Sequence, residues 1–221
     1  MGVSARPSAW SVPFNPVSNV VGTQDGRTAR RSKNHELVLD AVLELFTSGN
    51  FNPTPEEVAI QSGVSLRSVY RYVSSREQLF EQAIGRHLKK TAKLWILDEP
   101  MNESFASRLD HFLEHRLRLY EAVAASNRAS RAFSLTHENV RARLAQARTL
   151  LRDQAERQFA PELEALTVAR RRQVVATMES LTQLEGLDSL IHLQHLSLRE
   201  TRETLHHLLT LLLNPSPKGT A

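Results

Sequence analysis

The chain contains no cysteine. A disulfide framework and a thiolate zinc site are therefore excluded, and folding needs no oxidising compartment. No uninterrupted apolar run approaches the ~20 residues that a membrane-spanning helix requires; even the leucine-rich stretch 208–213 is interrupted by Thr210. The opening residues MGVSARPSAWSVPFNPVSNVVG lack the apolar segment of a signal peptide, and Arg6 stands where a myristoylation signal wants Ser or Thr. Strand-like alternation of useful length and internal repeats are also missing. So are a nucleophile–base motif, a phosphate loop, a metal signature and a cofactor fingerprint. These absences lead to the expectation of a soluble, cytoplasmic, all-α protein that is not an enzyme and holds no cofactor.

With 221 residues and 41% hydrophobic content, the chain can bury one good core or a small domain joined to a larger one. Charge separates two such parts. Residues 27–97 carry eleven Lys or Arg against seven Asp or Glu, whereas residues 98–221 carry sixteen of each. The net charge of +4 therefore sits on the first part, where a polyanion would be met.

Residues 1–26 hold Pro7, Pro13 and Pro16 without a sustained period and are expected to form a flexible arm. Leu37, Val38, Ala41, Val42, Leu45 and Phe46 then recur at helical spacing up to Gly49. Thr54-Pro55-Glu56-Glu57 is a capping box with proline at the first helical position, so a second helix begins there and runs to about Ser62. Gly63 makes a tight turn, Ser65 caps a third helix reaching about Val73, and Ser74 or Ser75 caps a fourth that runs towards Trp95. Asp98-Glu99-Pro100 is the expected boundary between a unit at 27–97 and a helical domain at 98–214, with 215–221 a flexible tail. Helices are expected at about 103–125, 137–158, 163–193 and 197–213, the last opening with a second capping box at Ser197.

Two helices joined through Gly63 have the layout of a helix-turn-helix, whose second helix enters the DNA major groove. On that helix Val69 and Val73 point inward with Val58 and Val64, while Leu66 and Tyr70 share one outer face and Arg67 and Arg71 another. Such hydroxyls and guanidinium groups bond phosphates and base edges, and Leu66 and the Tyr70 ring can pack on thymine methyls. The capped start of the fourth helix offers exposed N–H groups to phosphate.

Thr54 with the helix it caps, and Gly63-Val64-Ser65-x-x-Ser68-Val69-Tyr70-x-Tyr72-Val73-x-x-Arg76-Glu77-x-Leu79, resemble the DNA-binding domain of TetR-type (TetR/AcrR) transcriptional regulators over roughly residues 30–84. The resemblance implies that Thr54, Tyr72 and Arg76 hold phosphates while Arg67, Ser68, Tyr70 and Arg71 face the groove. It implies a three-helix DNA-binding domain linked by the fourth helix to an effector-binding and dimerisation domain. The function implied is that of a homodimeric repressor released from a double-stranded operator by a small molecule. Glu56, near the start of the second helix, is expected to act as a cap. The basic residues Arg27, Arg30, Arg31 and Lys33 read equally as a minor-groove arm or a solubilising leader.

In the second part, Arg116 falls within an apolar stripe of Phe105, Leu109, Phe112, Leu119 and Val123. A cation there either pairs with a nearby acid or, lining a cavity, binds an anionic ligand. His111 and His115 have chelating spacing, but no third ligand is tied to them by motif. The segments 170–193 and 197–213 are more apolar than one side of a monomer core needs, which points to a homodimer. The alternatives are a helical small-molecule-binding protein or enzyme with a scaffolding N-terminus, and an architectural DNA binder without ligand control.

Overall fold

The structure is a computed structural model describing residues 26–98 and 104–213. The expected arm up to residue 25, the Glu99-Pro100 break and the tail 215–221 lie outside the described residues. Among the described residues every element is helical, as composition and periodicity indicate. The order is α1 (Gly26–Thr47), α2 (Pro55–Ser62), α3 (Leu66–Tyr72) and α4 (Arg76–Thr91), then α5 (Phe105–Phe133), α6 (Glu138–Gln158), α7 (Ala160–Glu164), α8 (Val168–Thr182), α9 (Leu184–Asp188) and α10 (Leu198–Leu213). A 3₁₀ turn, Ala92–Trp95, continues α4, and a π turn, Ser189–Leu193, continues α9.

The first core forms where α1 buries Val38, Val42 and Phe46 against Val58 of α2, Val69 of α3, and Leu79, Phe80 and Ala83 of α4. Local chemistry sets its corners. Gly49 adopts φ 90°, and Asn50 N–H turns back to the Leu45 carbonyl, which ends α1. Arg30, Arg31 and Lys33 are exposed on the opening turns of this helix and so do not form an extended arm. Ala129 of α5 and Val140 of α6 complete the core, and Phe80 stacks on Phe133 at 4.0 Å. The two parts of the chain are therefore packed together through apolar contact.

The second core gathers Leu109, Phe112, Leu113 and Leu119 of α5 with Leu151, Phe159, Leu163, Val174, Met178, Leu187, Leu205 and Leu209. Two expectations need correction here. Helix α5 ends at Phe133 rather than near 125, and its added turns carry Ala129 into the first core. Nor is 163–193 one helix: Gln183 has ψ 160°, so α8 stops and α9 restarts at an angle. Gly186 makes that corner possible, since a Cβ there would overlap the Ser180 carbonyl oxygen and crowd that of Leu181. As a result Val174, Met178, Leu184 and Leu187 are all spent inside the protomer. Leu181, Leu190 and Ile191 are only partly buried and Leu193 is 65% exposed, so the apolar side chains that the two segments leave outside are these together with Leu208 and Leu211 of α10.

Candidate nucleic-acid interface

Three helix starts and one short helix build this surface. Thr54 Oγ1 accepts the Glu57 backbone N–H, and Glu57 accepts the Thr54 N–H at 2.7 Å, so α2 begins with a complete capping box. That backbone N–H is also the main reason the Glu57 carboxyl sits below its ordinary range. Gly63, at φ 67°, turns the chain into α3, where Ser65 Oγ accepts the Ser68 N–H and donates to Ser68 Oγ at 3.0 Å. Ser75 caps α4 by accepting the Gln78 N–H. Glu77, in the first turn of α4, is lowered by backbone N–H bonding and then by the Ser75 hydroxyl.

Helix α3 is held from beneath. Val58, Val64, Val69 and Val73 are all buried, as the valine spacing requires. Arg67 and Arg71 are exposed, Tyr70 is 54% exposed, and Leu66, Ser68 and Tyr72 are half-buried. The Tyr72 ring packs against His35 of α1 at 5.2 Å, so this tyrosine is anchored while its hydroxyl stays near Arg71 Nη2 at 3.5 Å.

Cations on the neighbouring seam are neutralised within the fold. Arg86 bonds Asp40 and Glu36, and Lys90 bonds Asp40 at 2.8 Å; Asp40 is lowered chiefly by Arg86. Arg71, by contrast, leans on the Tyr72 ring at 5.4 Å, and Arg76 spends one nitrogen on the Asn52 carbonyl and side chain at 2.5 and 2.6 Å. Arg67, Arg71 and Arg76 are exposed around α3 and the start of α4, and further exposed cations lie on α1 (Arg30, Arg31, Lys33) and past the far end of α4 (Lys93). Glu56 is not a cap: Glu57 fills that role, and Glu56 Oε1 accepts the Tyr70 hydroxyl at 3.3 Å. This carboxylate keeps the Tyr70 hydroxyl occupied on the outer surface. Asn52 was also missed by motif reasoning, because its link to Arg76 spans 24 residues.

The second candidate, Arg116, lies far from this surface in sequence and in environment. It is 1% exposed and has no acid partner: Nη1 donates to Gln154 Oε1 at 2.8 Å and Nη2 to the Leu151 carbonyl at 2.7 Å, while Nε has no partner. The expected pairing with a nearby carboxylate is corrected by this arrangement. The guanidinium rests 4.7 Å from the Phe112 ring, and burial alone lowers its pKa to about 9, leaving it charged at neutral pH. Next to it, burial and then Arg116 push His115 down to about 4, and its Nε2 faces the Ile96 carbonyl at 2.9 Å.

No family model and no curated protein matches the chain. Function therefore rests on the geometry of these two places.

Proposed function

We propose that this protein is a sequence-specific DNA-binding transcriptional regulator of TetR type, acting as a homodimeric repressor released by a small molecule. The observation that carries the reading is the outward face of α3. Exposed Arg67, Tyr70 and Arg71 stand on a helix pinned from beneath by four buried valines, and three capped helix starts surround it. In this reading α2, α3 and their connecting turn form the helix-turn-helix. Arg67, Ser68, Tyr70 and Arg71, with Leu66, meet base edges, while Thr54, Tyr72 and Arg76 hold phosphates.

Dimerisation follows from the geometry of DNA, because one seven-residue helix reads only a few base pairs. Two copies presenting α3 roughly 34–36 Å apart would reach successive major grooves. Exposed Leu208 and Leu211, three residues apart on α10, are the partner-facing positions we favour. Release would run through α4. Its C-terminal end continues as the turn Ala92–Trp95, and the Trp95 carbonyl accepts Gln154 Nε2 of α6 at 2.7 Å. A ligand that shifts α6 or this turn would move α4 and with it the spacing of the reading helices.

The test is selection of duplexes from a randomised library by the purified full chain, followed by titration against salt. The reading expects a two-fold symmetric site and a linear fall of log affinity with log salt. A chain that retains no duplex at low salt would end the regulator proposal. The same chain running as a monomer in sedimentation at micromolar concentration would end the dimer.

A further inference from the structure

Arg116 is a charge the fold has buried without neutralising. Its hydrogen-bond acceptors are a neutral amide oxygen and a backbone carbonyl, and several carboxylates of the same half are committed to other cations. Glu162 pairs with Arg108, Asp110 bonds Arg202 at 2.7 Å, and Glu156 bonds Arg152 and Arg171. A guanidinium in such a place is costly to the folded state unless something supplies the missing negative charge.

Its unfilled edge is informative. The Nε–H, which with one Nη–H forms the fork that carboxylates grip, is the part without a partner. A further buried nitrogen without a partner is Trp95 Nε1, on the turn that Gln154 ties to α6. Apolar side chains make up the rest of the surroundings, with Phe112, Leu113, Leu117, Leu151, Ala155 and Leu97 in the same core.

We infer that Arg116 binds the carboxylate of a small monoanionic acid whose remainder is apolar, and that this acid is the effector of the regulator proposed above. One unneutralised guanidinium calls for one negative charge; a phosphate dianion would leave an excess of the opposite sign. His115 is neutral at physiological pH and adds no second cation. The planar fork favours a carboxylate over a spherical anion, and the aromatic and aliphatic neighbours favour an acyl or aryl tail. Gln154 links Arg116 Nη1 to the Trp95 carbonyl, so a carboxylate on the guanidinium lies one side chain away from the end of α4 and can alter how Gln154 holds it.

The effector role rests on the regulator reading, while the binding step does not, and the experiment separates them. The full chain is titrated with benzoate and octanoate, and with benzamide and octanamide, following thermal unfolding and heat of binding. At least one acid should bind roughly 30-fold more tightly than its amide, the scale expected when one partner of a buried charge pair is removed. In Arg116→Met the preference should fall to within about threefold, and Arg116→Lys should restore part of it because it keeps the charge. Arg116→Met leaves Gln154 Oε1 and the Leu151 carbonyl without their donor, so its melting temperature without acid should fall and serves only to check folding. A purely structural arginine would leave any acid preference intact in this variant. That result, or a wild type indifferent to acid against amide, overturns the assignment. Release of bound DNA by the same acids tests the effector role alone: acid binding without release would leave the site standing and remove its link to the regulator.

Discussion

The two halves of this molecule treat polar side chains in opposite ways. In residues 28–97 Thr91 is the single polar residue among those described that is buried. In residues 104–213 the fold buries Arg116, Gln154, Gln158, Thr182, Gln183, Asp188 and Thr201, and all the buried side-chain nitrogens and oxygens without a partner among the described residues, Trp95 Nε1 excepted, belong to this half. Interiors normally satisfy such groups. The first half is thus built as a surface carried on a plain apolar core, and the second as an interior with unfilled polar capacity. A surface of that kind suits a ligand met from outside, and an interior of this kind suits one that enters.

The largest expected effect tests whether the halves are energetically separate. Phe80 is packed between Phe46 and Phe133, so it belongs to both. Phe80→Ala should cost about 3–5 kcal/mol and lower a single unfolding transition seen alike by far-ultraviolet circular dichroism and tryptophan fluorescence. Two resolved transitions, with only one displaced, would make the halves independent domains and sharpen the contrast into a division.

Next in size is the corner between α8 and α9. Gly186→Ala places a methyl group against the Ser180 carbonyl and should cost roughly 1–3 kcal/mol in urea denaturation. An unaffected midpoint would mean that α8 and α9 can separate freely.

Proton binding gives a third comparison. His115 has a folded pKa of about 4 against an ordinary 6.5, so the unfolded chain binds the proton more readily. Stability from this group is complete above pH 6.5, is lost as pH falls from there towards 4, and changes no further below. His115→Asn should flatten the pH dependence of the melting temperature between 6.5 and 4, and a slope identical to wild type would show that His115 does not carry it. His87, also lowered mainly by burial, contributes in the same direction and remains in the variant.

The smallest expected change in stability belongs to the exposed surface. Arg76→Ala should leave the melting temperature nearly unchanged, since Arg76 is exposed and bonded only to Asn52. The slope of log DNA affinity against log salt should become shallower by about one unit. An unchanged slope would take Arg76 off the phosphate-contacting surface.

Local chemistry made the first half legible from sequence. Capping boxes, the Gly63 turn and the i, i+4 valines are decided within a few residues, and each element appears where that chemistry puts it. The second half was less legible because its deciding contacts are long-range. Arg116 meets Gln154 across 38 residues, and an uncharged amide leaves no charge pattern to find. The added turns of α5 carry Ala129 into the other core, and the break after Thr182 depends on how closely Gly186 approaches a carbonyl. Periodicity alone extends a helix through both places.

The central claim is that α3 reads DNA sequence, and the most direct test compares the sites selected by wild type and Arg67→Ala from one randomised duplex library. Arg67 is exposed, while Val69 ties α3 to the core, so the substitution should leave helicity unchanged. The account predicts a loss of roughly 1–3 kcal/mol on the preferred site, little change on random duplex, and relaxed preference at one symmetric pair of positions. If Arg67→Ala, and with it Tyr70→Ala, select the wild-type site at full strength, α3 is not the reading element and the account is contradicted.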